Sequence, residues 1–188
     1  MSLRNTSIVI TFLCCQIVFS QKNVSITIDD VPNTSRFQKD GYESTLLNKL
    51  DSLKIPTAIF INEGLIYKTD SVSKNFDLLN NWAKKKFITL GNHTFSHSRY
   101  SEVGIDSFKK DILNGASISK ELSKKYNKTL NYFRFPFNDL GKDSLQHIQV
   151  KQFLKNINYR VAPFTIESSD WMYNYLYEHY LDQNNYAK

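Results

Sequence analysis

This 188-residue chain has few cysteines, no long apolar run and no organised basic cluster. Its two cysteines, Cys14 and Cys15, both lie in a short apolar block near the N-terminus, so the remainder of the chain offers no thiolate for catalysis or for metal binding. Any metal that the remainder of the chain binds must therefore be held by nitrogen and oxygen atoms.

The apolar block covers residues 7–19 and falls short of the roughly 20 residues that a membrane-spanning helix needs. The positive charge of Arg4 before it and small residues at its end are typical of a secretory signal peptide. We therefore predict a signal peptide over residues 1–20, export to the periplasm or the exterior, and one domain over residues 21–188 that is not an integral membrane protein after cleavage. An uncleaved membrane anchor is the alternative.

The chain carries a formal net charge of +6, and loss of Arg4 with the signal leaves 23 basic and 18 acidic residues, a net charge of +5. The lysines are scattered and form no basic stripe interleaved with aromatic residues, so we predict no nucleic-acid partner. The charge is compatible with a solvated surface that has some affinity for an acidic cell-wall polymer.

Short apolar runs alternate with helical patterns along the chain. The runs predict strands at 24–28, 56–61, 87–90, 132–135 and 159–166, and the helical patterns cover 42–53, 75–86, 105–126, 143–156 and 171–181. This alternation predicts an α/β fold with right-handed crossovers around a parallel sheet or barrel. In such folds ligands bind beyond the carboxyl ends of the strands.

Polar side chains follow four of the predicted strands, at the edge where ligands are expected. They are Asp29 and Asp30, His93 and His97, Arg134 and Asn138, and Asp170 with Trp171. Because the strands are expected to be parallel, these residues converge on one rim although they are far apart in sequence.

Two histidines and an aspartate pair could build a metal site there. His93 and His97 share a face if residues 92–98 begin a helical turn, and two imidazoles with one carboxylate leave open positions for water and substrate, as at catalytic zinc. Side chains alternate along a strand, so Asp29 and Asp30 would take separate tasks. A chance histidine pair and an ordinary acidic turn are the alternatives.

Arg134 lies in the apolar stretch 133–137, where a buried guanidinium needs a carboxylate partner. The sequence leaves two partners equally open: a catalytic aspartate, or a carboxylate elsewhere in a purely structural ion pair.

Four segments in this order resemble the motifs of the NodB-like polysaccharide deacetylases, carbohydrate esterase family 4. They are Ile26–Pro32 (ITIDDVP), His93–His97 (HTFSH), Arg134–Phe137 (RFPF) and Glu167–Trp171 (ESSDW). Their order, spacing and position after predicted strands all agree with the family pattern.

The resemblance implies a deformed (β/α) barrel and a divalent metal, by preference Zn²⁺, held by Asp30, His93 and His97. Asp29 would act as the general base that deprotonates the attacking water, and Arg134 would orient it. The reaction implied is removal of acetyl groups from an acetylated polysaccharide or oligosaccharide, either a polymer of N-acetylglucosamine or an O-acetylated glycan.

The resemblance also implies substrate-binding residues. Pro136 and Phe137 would line the groove, with the Phe137 backbone N–H available to the oxyanion. Asp170 and Trp171 would belong to the acetyl pocket, although Trp171 could equally be an ordinary core aromatic.

Three departures from the family pattern bear on activity. Val31 replaces a glycine of the first motif, Asn138 replaces a glycine of the third, and no Leu-x-His segment follows Trp171 to supply a general acid. His179 lies in a helical pattern and is expected at the surface. With five predicted strands, we expect a barrel that is incomplete at its C-terminal end.

Loss of a general acid typically costs about 10²–10⁴ in rate, so weak turnover is expected. Two alternatives remain open from the sequence: a catalytically silent, exported glycan-binding domain, and a hydrolase of a small acylated molecule.

Overall fold

The structure is a computed structural model that describes residues 23–182, so the predicted signal peptide over 1–20 lies outside the described residues. In this range five strands form one parallel sheet in the order β1-β2-β3-β4-β5. The strands are β1 (Ile26–Val31), β2 (Thr57–Ile61), β3 (Ile88–Asn92), β4 (Leu130–Phe133) and β5 (Arg160–Val161). The predicted α/β class is confirmed, and β1 and β5 are the edges of the described sheet.

Helices connect the strands as the alternating pattern predicts. They are α1 (Thr34–Lys39), α2 (Thr45–Leu53), α3 (Val72–Ala83), α4 (Tyr100–Asn114), α5 (Ser117–Lys125), α6 (Ser144–Asn156) and α7 (Asp170–Asp182), with 3₁₀ segments at Glu63–Tyr67 and Pro136–Asn138. No helix among residues 23–182 combines the length and the hydropathy needed to cross a membrane.

Two groups of buried apolar side chains hold these helices on the sheet. The first joins α3 and α5 to β2 and β3, with Ile59, Leu79 and Leu90 fully buried. The second joins α4 and α6 to β4 through residues such as Phe108 and Phe133. Burying each such side chain contributes roughly 1.5–3 kcal/mol, so the carboxyl ends of the central strands are held on a rigid base.

The predicted helix over 105–126 is wrong, because it breaks at Gly115 into α4 and α5. A Cβ atom at Gly115 would lie 2.3 Å from the carbonyl carbon of Thr94, so the glycine lets the helix junction pack against the loop after β3. Helical periodicity continues through this point in the sequence and therefore does not reveal the break.

The predicted strand over 159–166 is also too long, since β5 covers only Arg160–Val161. In the described sheet β5 has one neighbour, β4, and Pro163 has no N–H with which to continue the ladder. The chain from 162 to 169 is consequently irregular.

Candidate metal centre

Asp30, His93 and His97 lie together at the carboxyl edge of the sheet. One ligand atom from each lies within 4.8 Å of the other two. The two histidine Nε2 atoms are 3.2 Å apart, and His97 Nε2 lies 3.4 Å from Asp30 Oδ1. The structure thus brings together the three residues that the sequence predicts as ligands.

The two histidines do not meet on a helical turn, because Asn92 ends β3 and residues 93–99 form an irregular loop. Thr94 and His97 have left-handed backbone conformations, with φ of 67° and 55°. The Thr94 N–H donates to Asn92 Oδ1 at 2.7 Å, and the His97 N–H donates to Thr94 Oγ1 at 3.1 Å. Side-chain hydrogen bonds therefore fold the loop back and turn the His97 ring towards His93.

A buried aspartate of α4, which the sequence did not single out, supports this loop. Asp111 is 8% exposed; its Oδ1 accepts from the Ser96 N–H at 2.8 Å, and its carbonyl accepts from the Phe95 N–H at 3.2 Å. On the other side the Gly64 N–H donates to the Phe95 carbonyl. An acidic residue on the apolar face of a predicted helix was the available signal.

His93 is held in the tautomer that suits a metal ligand. The ring is buried, and its Nδ1 lies 2.8 Å from the carbonyl oxygen of Arg134. Because a carbonyl only accepts, Nδ1 carries the proton and Nε2 presents its lone pair to the cluster.

His97 is partly buried beside charged groups of both signs. Burial lowers the pKa of His97 below its usual value. The carboxylates of Asp30 and Asp29 oppose this shift, and His93 and Lys68 reinforce it. The net effect favours a neutral imidazole at pH 7, which is the form that binds a metal.

Asp29 points away from its neighbour Asp30 and is paired with Arg134. Arg134 Nη1 lies 2.9 Å from Asp29 Oδ1 and 2.7 Å from Thr27 Oγ1, while its Nε donates to the Ala162 carbonyl at 3.0 Å. The second carboxylate oxygen of Asp29 lies 4.0 Å from His93 Nε2. The buried guanidinium is thus anchored by three contacts, two from β1 and one from the residue after β5, and it fixes Asp29 at the edge of the cluster.

The segment after β4 lies against the other side of His97. The Phe137 ring centroid is 4.5 Å from that of His97. The guanidinium of Arg99 also packs on the Phe137 ring, 4.0 Å from its centroid. Pro136 is buried, whereas Phe137 and Asn138 adopt left-handed conformations. Within the described residues the Phe137 N–H has no hydrogen-bond acceptor.

Asp170 and Trp171 are not brought to the cluster. They begin helix α7, the indole is 70% exposed, and within residues 23–182 neither side chain makes a hydrogen bond, ion pair or ring contact with the cluster. The short β5 is the reason, because the chain leaves the sheet at residue 162, well before these residues.

The ligand types fit a zinc ion, and two of the three separations between ligand atoms match tetrahedral coordination. Zinc binds histidine nitrogen and carboxylate oxygen at about 2.0–2.2 Å, which puts adjacent ligand atoms about 3.3 Å apart. The distances of 3.2 Å between His93 and His97 and of 3.4 Å between His97 and Asp30 agree with that separation, whereas the ligand atoms of His93 and Asp30 are farther apart, within 4.8 Å. Three protein ligands leave a fourth position open, as in catalytic rather than structural zinc sites.

Sequence and structure comparisons agree on one family. The family model for polysaccharide deacetylases matches residues 17–159. Similar solved structures include BA3943, a pseudoenzyme of carbohydrate esterase family 4 from Bacillus anthracis, with a TM-score of 0.60 and 14% identity over 81% of this chain and 47% of that chain. The peptidoglycan deacetylase PdaC from Bacillus subtilis has a TM-score of 0.54 and 18% identity over 82% of this chain and 64% of that chain.

A family 4 carbohydrate esterase from Streptomyces lividans, solved with acetate, has a TM-score of 0.53 and 18% identity over 79% of this chain and 65% of that chain. The chain thus spans about half the length of BA3943 and less than two thirds of the other two. At these identities the likeness concerns the fold. No curated protein matches the chain in sequence.

Proposed function

The chain belongs to the polysaccharide deacetylase family, and from that membership we propose that it is a metal-dependent hydrolase that removes acetyl groups from an acetylated carbohydrate. The observation that carries the proposal is the approach of Asp30, His93 and His97 to within 4.8 Å, beside the ion pair of Asp29 with Arg134. The metal is proposed to be zinc.

Asp30, His93 and His97 would hold the metal. A bound zinc ion would supply Lewis-acid polarisation of the acetyl carbonyl and a more acidic water. The carbonyl of Arg134 keeps the His93 proton on Nδ1, so that Nε2 faces the site.

Asp29 is the proposed general base. Its Oδ1 is held by Arg134, while Oδ2 faces the cluster, 4.0 Å from His93 Nε2, where it can accept a proton from an attacking water. The Phe137 N–H has no acceptor in the described chain and is proposed to donate to the oxyanion that develops on the acetyl group.

Zinc binding tests the proposal directly. Isothermal titration of the EDTA-treated protein should give one zinc site, which is abolished in His93→Ala. The matched control is His147→Ala, because His147 lies on α6 outside the cluster and should leave zinc binding unchanged. Equal zinc affinity of His93→Ala and the unsubstituted protein would contradict the proposed site.

The type of bond that is cleaved, amide or ester, provides a second test. Within the described residues no third histidine joins the cluster: His147 lies on α6 and His179 is exposed on α7, as expected for a surface residue. A protonated leaving group matters more for an amide than for an aryl ester, so an aryl acetate should be cleaved faster than an N-acetyl oligosaccharide. Equal rates would contradict the lack of a general acid.

The same observation supports a second candidate, an exported glycan-binding domain without turnover. Zinc binding and glycan binding with no acetate release from either substrate would favour it. Export itself is proposed from the sequence of residues 1–20, and mass spectrometry of the exported protein should find a chain that begins at Gln21.

A further inference from the structure

A row of contacting side chains leads from the metal centre to the start of helix α4. The ring centroids of His93 and His97 are 4.9 Å apart, and that of Phe137 lies 4.5 Å from His97. The guanidinium of Arg99 lies 4.0 Å from the centroid of the Phe137 ring. The Phe137 ring therefore contacts both a proposed metal ligand and a cation to which the proposed reaction assigns no part.

Phe137 depends on these two contacts for its conformation. Its backbone is left-handed, with a φ of 57°, which is unfavourable for a bulky residue. In the described chain its N–H and carbonyl make no hydrogen bond, and the residue is 52% exposed. The hydrogen bonds that hold this segment belong to neighbours: the Asn138 N–H donates to the Phe135 carbonyl, and the Asp139 carboxylate accepts from Ser101. Loss of a ring contact should therefore let Phe137 leave this conformation.

The Phe137 ring is the main partner of the Arg99 guanidinium. Among residues 23–182 the one carboxylate within ion-pair distance is that of Glu102, 3.8 Å away, and the two side chains are 46% and 70% exposed, so water screens this pair. A guanidinium is attracted to the negative face of an aromatic ring and packs well on it. Because Arg99 lies two residues after His97 and directly before α4, its contact ties the end of the histidine loop to the segment after β4.

We propose that Arg99 is a positioning residue of the deacetylation: through the Phe137 ring it keeps the Phe137 N–H in place for the oxyanion that develops on the acetyl group. This inference rests on the proposed function, which assigns that N–H to the oxyanion. A donor that is fixed before the reaction stabilises charge that appears only in the transition state. Arg99 should therefore act on kcat and not on KM.

The conformation of Phe137 tests the contact without turnover. NMR compares the full chain with Arg99→Met, because backbone ¹³C shifts report left-handed residues. In Arg99→Met the Phe137 shifts should move towards those of an extended or right-handed residue. Lys109→Met is the matched control and should leave them unchanged, since the Lys109 ammonium lies on the same helix but 5.6 Å from the ring centroid of Phe153. Unchanged Phe137 shifts in Arg99→Met overturn the proposal.

Kinetics on an aryl acetate test the role in the reaction. With zinc bound, Arg99→Met should lower kcat about fivefold, the effect expected of one exposed contact between a cation and a ring, and leave KM and zinc affinity unchanged. Phe137→Leu should lower kcat as well. Adding Arg99→Met to Phe137→Leu should cause no further loss, because the arginine then has no ring to hold.

The outcomes separate this inference from the proposed function. An unchanged kcat in Arg99→Met, a change in KM alone, or a loss that adds in full to that of Phe137→Leu shows that Arg99 does not act through the ring; each overturns the inference and leaves the metal centre intact. If the unsubstituted protein binds no zinc or releases no acetate, the proposed function and the role of Arg99 fail together.

Discussion

Two adjacent aspartates face different partners because their backbone conformations differ. Asp30 has a φ of 54°, in the left-handed region that non-glycine residues seldom occupy, and its carboxylate lies near His97 while that of Asp29 lies on Arg134. Left-handed residues recur around the centre, at Thr94 and Phe137 among others. Strained conformations of this kind cost about 1–3 kcal/mol each and collect at functional sites, which agrees with the proposed role of the cluster.

Replacing Asp29 should therefore separate catalysis from metal binding. In Asp29→Asn the acceptor for the water proton is removed while the cluster of Asp30, His93 and His97 remains, so acetate release should fall about 10²–10⁴-fold at unchanged zinc affinity. Asp30→Asn is the paired variant and should weaken zinc itself. Acetate release and calorimetry on both variants measure this, and a large loss of zinc affinity in Asp29→Asn would assign Asp29 to the metal instead.

At the scale of elements, the loop after β3 is clamped between the α4–α5 junction and the 3₁₀ segment Glu63–Tyr67. The Glu63 carboxylate is buried and accepts from the backbone N–H groups of Ile118 and Ser119, at 3.0 and 2.6 Å, so it ties that segment to the first turn of α5. The histidine loop thus depends on helix packing for its shape.

Gly115→Ala should damage this clamp. The added methyl would lie 2.3 Å from the Thr94 carbonyl carbon, which is backbone and can move only with the loop. We expect a loss of about 1–3 kcal/mol in the free energy of unfolding, as for other overpacked sites, together with weaker zinc binding. Asn114→Ala, at the neighbouring exposed position, is the control. Urea unfolding and zinc titration measure both effects, and unchanged values would show that the contact can relax.

Asp139 fixes the segment that carries Phe137 and should do so in a pH-dependent way. Burial acts to raise the pKa of Asp139, but hydrogen bonds from the Ser101 N–H and hydroxyl and from the Gly141 N–H outweigh it and hold the pKa below its usual value. The ionised carboxylate therefore stabilises the folded state above the usual aspartate pKa of about 3.9, and this contribution is lost as the pH falls through the lower folded-state pKa.

Asp139→Asn should accordingly cost about 1 kcal/mol at pH 7, a value discounted for the partial exposure of the group. The difference from the unsubstituted protein should shrink as the pH is lowered from 4 towards the folded-state pKa. Urea unfolding at pH 7 and in the acidic range tests this. A difference that is the same at both pH values would mean that the charge of Asp139 plays no part.

The sequence predicts the features of the site that the strand arrangement determines, but not those that local hydrogen bonds determine. Residues at the ends of parallel strands meet at one edge, so the convergence of Asp29, Asp30, His93 and Arg134 on one rim followed from the alternating pattern. The separate assignments of Asp30 to the histidines and of Asp29 to Arg134 came from the family resemblance. The shape of the loop over 93–99 did not follow from the sequence, because its left-handed residues are not glycines and local side-chain hydrogen bonds determine them. Asp111 was likewise missed: its place on the apolar face of a predicted helix indicated a buried carboxylate, but no sequence pattern shows its partners, which are backbone N–H groups of the loop.

At the scale of the whole molecule, the centre depends on the sheet and little on α7. No buried side chain comes from α7 among the residues whose exposure is described, and its aromatic residues, Trp171 included, are largely exposed. The segment just before it is different: Tyr159 is buried and its hydroxyl accepts from Asn92, and the Ala162 carbonyl accepts from Arg134. The boundary of what the centre needs therefore falls between residues 162 and 170.

Two shortened chains test that boundary. A chain ending at residue 169 should keep its zinc affinity and lose less than about 1 kcal/mol of stability, as expected when only surface contacts such as Arg36 with Tyr177 are removed. A chain ending at residue 156 lacks β5 and both contacts to the centre, so it should bind zinc at least tenfold more weakly or fail to fold. Loss of zinc binding by the longer chain would show that α7 supports the site. If zinc binding survives but cleavage of an aryl acetate falls, α7 serves the acetyl pocket, as the resemblance implies for Trp171.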